Sequence, residues 1–153
     1  MKLRIIWVGR SQEAWVKAGI DEYAGRIRRY APLEIVEAKE EKGAAPDLMR
    51  QREGERIMKL RPKGSKLILL DETGQQLTSP EFALLTGRYR DNSTPEILFA
   101  IGGAYGFSKE LHSRADRLIS LSKMTFTHQM IRPFFLEQLY RAFTILNNEG
   151  YHQ

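Results

Sequence analysis

Residues 97–132 read ILFAIGGAYGFSKELHSRADRLISLSKMTFTHQMIR. Ile97 to Ile101 is a short apolar run ending in Gly102-Gly103-Ala104-Tyr105-Gly106. Leu118 to Leu121 is a second, ending in Ser122-Lys123-Met124-Thr125-Phe126-Thr127-His128. Short apolar runs bounded by glycine or polar clusters read as strands. Each strand therefore opens into a loop fit for small-molecule contact, and open α/β sheets bind ligands at the carboxyl ends of their strands. The two loops are expected to wall one pocket. Three glycines let the first approach a ligand closely, although it has neither GxGxxG spacing nor the lysine of a P-loop. The second mixes hydroxyls, a thioether and a ring, a set that holds an adenine by stacking and hydrogen bonds. A loop whose Met124 and Phe126 merely plug the core is the competing reading. Ser108 is placed to cap a helix over Lys109 to Asp116.

Upstream, the chain alternates strand and helix. Leu3 to Val8 reads as a strand, and Ser11 as the N-cap of a helix that runs to Tyr30 before Pro32 stops it. Trp15, Ala18, Tyr23 and Ile27 form its apolar stripe. No capping box is expected, because Ala14 stands where Glu or Gln would be needed. Arg26, Arg28 and Arg29 suit that helix's negative end or a phosphate equally. Leu33 to Ala38 is a short strand and residues 39–46 a polar loop. Asp47 to Leu60 is a charged helix with Leu48, Ile57 and Leu60 inward. Leu67-Ile68-Leu69-Leu70 lacks alternation, as in a strand buried on both faces of a parallel sheet, and Gly74 to Thr78 reads as a loop. Ser79-Pro80 starts a helix that runs to about Tyr89. Downstream, His128 to about Asn147 forms the last helix, in which Pro133 must lie in the first turn or produce a kink. Its apolar surface exceeds one stripe: Phe135, Leu139, Ala142, Phe143 and Leu146 on one side, Phe134, Leu136, Tyr140 and Ile145 elsewhere. Burial on two sides implies a subunit interface. This pattern predicts one α/β domain over residues 1–153, a mostly parallel sheet flanked by helices.

Composition narrows the class. With 153 residues and 42% hydrophobic content the chain can bury a core. No apolar run approaches the roughly 20 residues of a membrane span, and the start lacks a signal-peptide core, so a cytoplasmic protein is expected. The absence of cysteine excludes disulfides, thiolate nucleophiles and Cys-type metal sites. The three histidines are far apart and show no HExxH pattern, so no metal site is expected. The net charge of +5 is uneven. Residues 1–66 hold 16 basic against 10 acidic side chains, the remainder 8 against 9. The first half is therefore the candidate for an anionic partner such as RNA.

Taken in order, IGGAYG, LSKMTFTHQMIR, LEQLYRAF and the terminal GYHQ resemble the RlmH-type methyltransferases of the SPOUT class, as do MKLRIIWVG and LILLDETG. The resemblance spans essentially the whole chain. It implies a SPOUT domain with a C-terminal trefoil knot, a homodimer, and S-adenosyl-methionine as cofactor. It also implies methylation of N3 of a pseudouridine in 23S ribosomal RNA of the assembled ribosome. Carried over by motif, the cofactor contacts fall on Leu70, Gly102, Leu121, Ser122, Lys123, Met124, Thr125 and Phe126. Thr127 departs from the family, where proline is common. Arg132 is the candidate to stabilise charge on the reacting base, with His128 or His152 relaying its proton. Arg50, Arg52 and Arg56 are the candidate ribosome contacts. The alternatives are a methyltransferase acting on another RNA such as transfer RNA, a non-catalytic ribosome-binding module, and a dinucleotide oxidoreductase, the last disfavoured by the glycine spacing.

Overall fold

The alternating pattern is realised as a five-stranded, all-parallel sheet between two helical layers in a computed structural model that describes residues 1–153. The elements are β1 (Lys2–Val8), α1 (Ala14–Ile27), β2 (Leu33–Ala38), α2 (Pro46–Leu60), β3 (Lys66–Gln76), α3 (Ser79–Asp91), β4 (Glu96–Ile101), α4 (Lys109–Arg114), β5 (Arg117–Ser120) and α5 (Ile131–Leu146). The strand order is β2-β1-β4-β3-β5. β4 and β5 are thus separated by β3, and the α4 connection skips over it. No helix is long and apolar enough to cross a membrane.

The period of two divides the central strands between two cores. Leu3, Ile5 and Trp7 of β1 and Ile97, Phe99 and Ile101 of β4 face the layer of α1, α3 and α5. Ile6 and Val8, Leu98 and Ala100, and Leu67 and Leu69 of β3 face α2 and α4. This double burial is why Leu67 to Leu70 shows no polar alternation. Phe82 (α3), Phe99 (β4) and Phe135 (α5) meet with ring centroids 5.0–6.2 Å apart. Each such contact contributes about 0.5–1.5 kcal/mol beyond burial, so the three rings fasten α3 and α5 to the sheet.

Several expected details are corrected. The buried stripe of α1 is Val16, Ile20, Ala24 and Ile27, at steps of four, four and three, and Trp15 falls outside it and is half exposed. Leu48 and Leu60 of α2 face outward, and Met49, Glu53, Gly54 and Ile57 inward. Thr78, not Ser79, caps α3, in a full capping box with Glu81. α4 ends at Arg114 and α5 begins at Ile131, each later or shorter than its pattern suggested. β3 does not stop at Leu70. Its register with β5 shifts between Leu70 and Gln75, and Gln75 and Gln76 pair again with Ile119 and Ser120. The intervening Asp71–Gly74 bulges from the ladder.

Candidate functional site

The bulge of β3, the glycine loop after β4 and the loop after β5 surround a cavity of about 570 Å3 at the carboxyl ends of the strands. Its walls are Leu70 to Thr73, Ile101 to Phe107, Ile119 to Ser122 and Met124 to His128, with His112 and Ile131. The volume lies within the ~300–1,000 Å3 of small-molecule sites. The expected convergence of the two loops is therefore observed, with β3 adding a third wall.

Each wall is held by its own local chemistry. The glycine loop folds back on itself, with Gly106 N–H donating to Gly103 O at 3.1 Å. A Cβ on Gly102 would press 3.2 Å from the Gly106 backbone, so a side chain there would open the turn. In the β5 loop, Met124 N–H donates to Ser122 Oγ at 2.9 Å and Met130 N–H to Thr127 Oγ1 at 3.0 Å. In the β3 bulge, Asp71 Oδ1 accepts from Thr73 N–H at 2.9 Å, and its Oδ2 lies 2.7 Å from His112 Nε2. Burial pushes the Asp71 carboxyl up, but the hydrogen bonds from Thr73 and His112 outweigh it and hold it below the usual carboxylate range.

Leu70, Gly102, Leu121, Ser122, Met124, Thr125 and Phe126 all line this cavity, as does His128. Lys123 does not; it is exposed at the turn that Ser122 closes. Burial, with the charge of Arg132, holds the His128 imidazole below its ordinary value of 6.5, so the ring is neutral at pH 7.

Arg132 and His152 have different places from those expected. Arg132 is fully buried and lies outside the cavity lining. Its Nη2 donates to Val8 O at 2.8 Å, and its Nη1 to Gly9 O at 3.1 Å and to Ser11 Oγ at 3.0 Å. Its Nε donates to His128 O at 3.0 Å. Four of the five guanidinium N–H groups are thus committed to the protein. The guanidinium also lies over the Trp7 ring, 5.1 Å from its centroid. Burial brings its pKa down to about 10. Arg132 ties the end of β1 to the backbone of His128. Ser11 is its partner rather than a helix cap, and passes the chain on to Glu37, its Oγ donating to Oε2 at 3.1 Å. His152 lies on α5, its Nδ1 3.1 Å from Arg141 Nη1, with Tyr151 Oη donating to Glu137 Oε1 at 2.8 Å. The terminal residues are thus docked rather than frayed.

Asp71, Thr73 and His112 were missing from the residues expected at the site. Asp71-x-Thr73 carried a readable local signal, since aspartate commonly bonds the backbone two residues on. His112 carried none, because its approach to Asp71 depends on the skip of α4 over β3.

Behind the glycine loop lies α2. Arg50 Nη1 donates to Tyr105 O at 3.3 Å, and buried Glu53 sits against Gly103. Burial, with Glu40 and Glu41 nearby, pushes the Glu53 carboxyl above its ordinary 4.5. The folded state therefore binds this proton more readily than the unfolded chain, and stability attached to it is lost as pH rises through the raised value. Glu53→Gln is expected to raise Tm at pH 7–8 and to leave it unchanged near pH 4, where both states carry the proton. Thermal melts at the two pH values check this.

A second cavity, about 560 Å3, lies between α1, the start of α3 and α5. Trp15, Tyr23, Phe82 and Phe134 line it, and Ile119, Leu121 and Phe126 belong to both cavities. Trp15 is 50% and Phe134 41% exposed, so this is an open apolar groove. No group of three or more His, Cys, Asp or Glu side chains is arranged to hold a metal ion.

The family model described as "Predicted SPOUT methyltransferase" matches residues 1–152. The ribosomal RNA large subunit methyltransferase H of Geobacter sulfurreducens is 67% identical over 152 residues, covering 99% of both chains. Proteins of the same name from Geobacter metallireducens and Geotalea uraniireducens are 63% and 62% identical, again over 99% of both chains. With the three-loop cavity at the strand ends, these matches place the chain in the SPOUT methyltransferase family.

Proposed function

We propose that this protein methylates ribosomal RNA of the large subunit, at N3 of a pseudouridine, with S-adenosyl-methionine as methyl donor. The observation that carries the reading is the cavity at the ends of β3, β4 and β5, in a chain 67% identical to a methyltransferase of that name.

The cavity fits the cofactor. Gly102 leaves room for backbone approach, Leu70, Leu121 and Phe126 offer apolar and ring surface, and Ser122 and Thr125 offer hydroxyls. These residues would hold its adenosine and methionine parts. S-adenosyl-methionine supplies a methyl group already activated by the sulfonium charge. The protein's work is then to align the base and dispose of its proton. Neutral His128 is the proposed acceptor of the N3 proton as the N3–methyl bond forms. Arg132 positions His128 through its backbone carbonyl and does not touch the base.

Because His128 is held below 6.5, protonation removes the acceptor only in acid. The rate of methyl transfer is expected to fall as pH drops through that lowered value and to be flat from pH 7 to 8. In His128→Gln the acid limb should vanish along with most of the rate. A wild-type pH–rate profile with no limb below pH 6.5 would exclude His128 as the acceptor.

A homodimer fits the apolar groove, where a second copy would cover Trp15 and Phe134. That places Arg141 and His152, on and against α5, beside the interface. His152 therefore keeps its candidate role only toward the partner's cavity.

The direct test is methyl transfer from labelled S-adenosyl-methionine to intact ribosomes, separated large subunits, and ribosomes lacking pseudouridine. Label only on pseudouridylated intact ribosomes is the expected result. Label on transfer RNA instead would move the substrate and keep the cavity.

A further inference from the structure

We infer that the phosphate backbone of the substrate RNA runs over Arg10, Lys39 and Lys42, at the β1–β2 side of the cavity, and not over the arginines of α2. The inference rests on the reading of this protein as an RNA methyltransferase and names the surface that reading requires.

The α2 arginines are spent within the chain. Arg50 pairs with Asp47 and donates to Tyr105 O. Arg52 lies 3.8 Å from Glu41, and Arg56 pairs with Glu41 and donates to Lys39 O at 2.8 Å. Arg50 and Asp47 cancel, while Arg52 and Arg56 share the single carboxylate of Glu41, so the three arginines leave one net positive charge and phosphate contact there competes with these pairs. The same pairs change the character of the loop beside them. Lys39-Glu40-Glu41-Lys42 is neutral as written, but its acids turn inward. The Glu41 side chain is only 15% exposed, and Glu40 lies against Gly9. The side chains of Lys39 and Lys42 are left exposed, with no ion pair or hydrogen bond of their own. Arg10, on the neighbouring loop, is exposed and unpaired as well.

The patch is fixed in place although its side chains are free. Val8 and Ala38 are register partners, so the β1 and β2 loops leave the sheet side by side. Arg10 O accepts from Gln129 Nε2 at 2.9 Å, and Gln12 N–H donates to Gln129 Oε1 at 3.1 Å. Gln129 follows His128, so Arg10 stands at the rim of the cavity. Unpaired cations on anchored loops outside the pocket suit sequence-independent phosphate contact. The base specifies from within, and the backbone sets its register.

The test compares two charge-matched variants: Arg10→Gln/Lys39→Gln/Lys42→Gln, and a control, Arg29→Gln/Lys59→Gln/Lys63→Gln, whose residues lie at the opposite end of the strands. Binding to purified ribosomes is measured from low to moderate salt, with S-adenosyl-methionine affinity as a check on folding. The first variant is expected to lose at least ~10-fold in ribosome affinity, and its log–log salt slope to fall by roughly 2–3, for three lost phosphate contacts. The control should keep the wild-type slope, and cofactor affinity should be unchanged in both. Equal losses in the two variants, or an unchanged slope in the first, would overturn the inference. If the wild type binds ribosomes through this patch but neither binds cofactor nor transfers methyl, the enzymatic reading fails and the surface stands.

Discussion

Arg132→Ala is expected to lower Tm by roughly 10 °C. The guanidinium is fully buried and donates to three backbone carbonyls and to Ser11 Oγ. Its removal leaves those acceptors dry and opens a void beneath Trp7. Removing one partner from a buried charged network costs about 3–5 kcal/mol, and at this chain length each kcal/mol moves Tm by about 2–4 °C. Arg132→Lys separates the possible roles. A single ammonium cannot span Val8 O, Gly9 O and His128 O together, so it should restore only part of the Tm. A residue acting on substrate charge would behave otherwise: lysine would restore the fold entirely and lose only rate. Thermal melts of both variants, with cofactor affinity and turnover, decide the matter. An unchanged Tm in Arg132→Ala would return the residue to the list of groups that touch substrate.

The same residue shows what a sequence conveys and what it withholds. All five strands were legible, the inner ones because double burial leaves unbroken apolar runs such as Leu67 to Leu70, and the edge strand β2 because its residues alternate. The two site loops were legible because glycine and hydroxyl clusters end those runs at the ligand-binding end of a parallel sheet. Whether a charged residue points to a partner or into its own chain was not legible. Arg132, Arg50 and Arg56 read as candidates for substrate, but each is taken by carbonyls or carboxylates that only the sheet order brings near. The Val8, Gly9 and His128 carbonyls meet because β1 is an interior strand of the sheet while α5 packs on the sheet's face. Helix phase failed for a related reason. Taking Trp15, Ala18, Tyr23 and Ile27 as the stripe of α1 put Trp15 inward, yet the packing against the sheet takes Val16, Ile20, Ala24 and Ile27 and leaves Trp15 out. The continuation of β3 beyond its bulge depends on pairing with β5, which skips a strand, and so left no trace in local pattern.

That continuation makes Gly74→Ala the substitution expected to injure the site most directly. A Cβ at residue 74 would lie 2.6 Å from both Ile119 N and Leu118 C. These are backbone atoms of a paired strand, so no rotamer change relieves the clash. Either the Gln75–Ile119 and Gln76–Ser120 pairing breaks or β5 is pushed outward. Overpacking of this kind typically costs about 1–3 kcal/mol, but the functional loss should exceed the thermal one. Asp71 to Thr73 and Ile119 to Ser122 are adjoining walls of the cavity proposed for the cofactor, and Gly74 is the point at which their strands touch. S-adenosyl-methionine affinity is expected to fall by ~100-fold or more while Tm falls by only a few degrees. Gly25→Ala is the matched control. It is exposed in α1, and nothing lies within 4 Å of its added Cβ. It should gain about 0.5–1 kcal/mol from reduced unfolded-state entropy and leave cofactor affinity alone. Calorimetric titration of both variants is the check. Wild-type affinity in Gly74→Ala would mean that the β3 bulge does not shape the cofactor site, and that the glycine and β5 loops suffice without it.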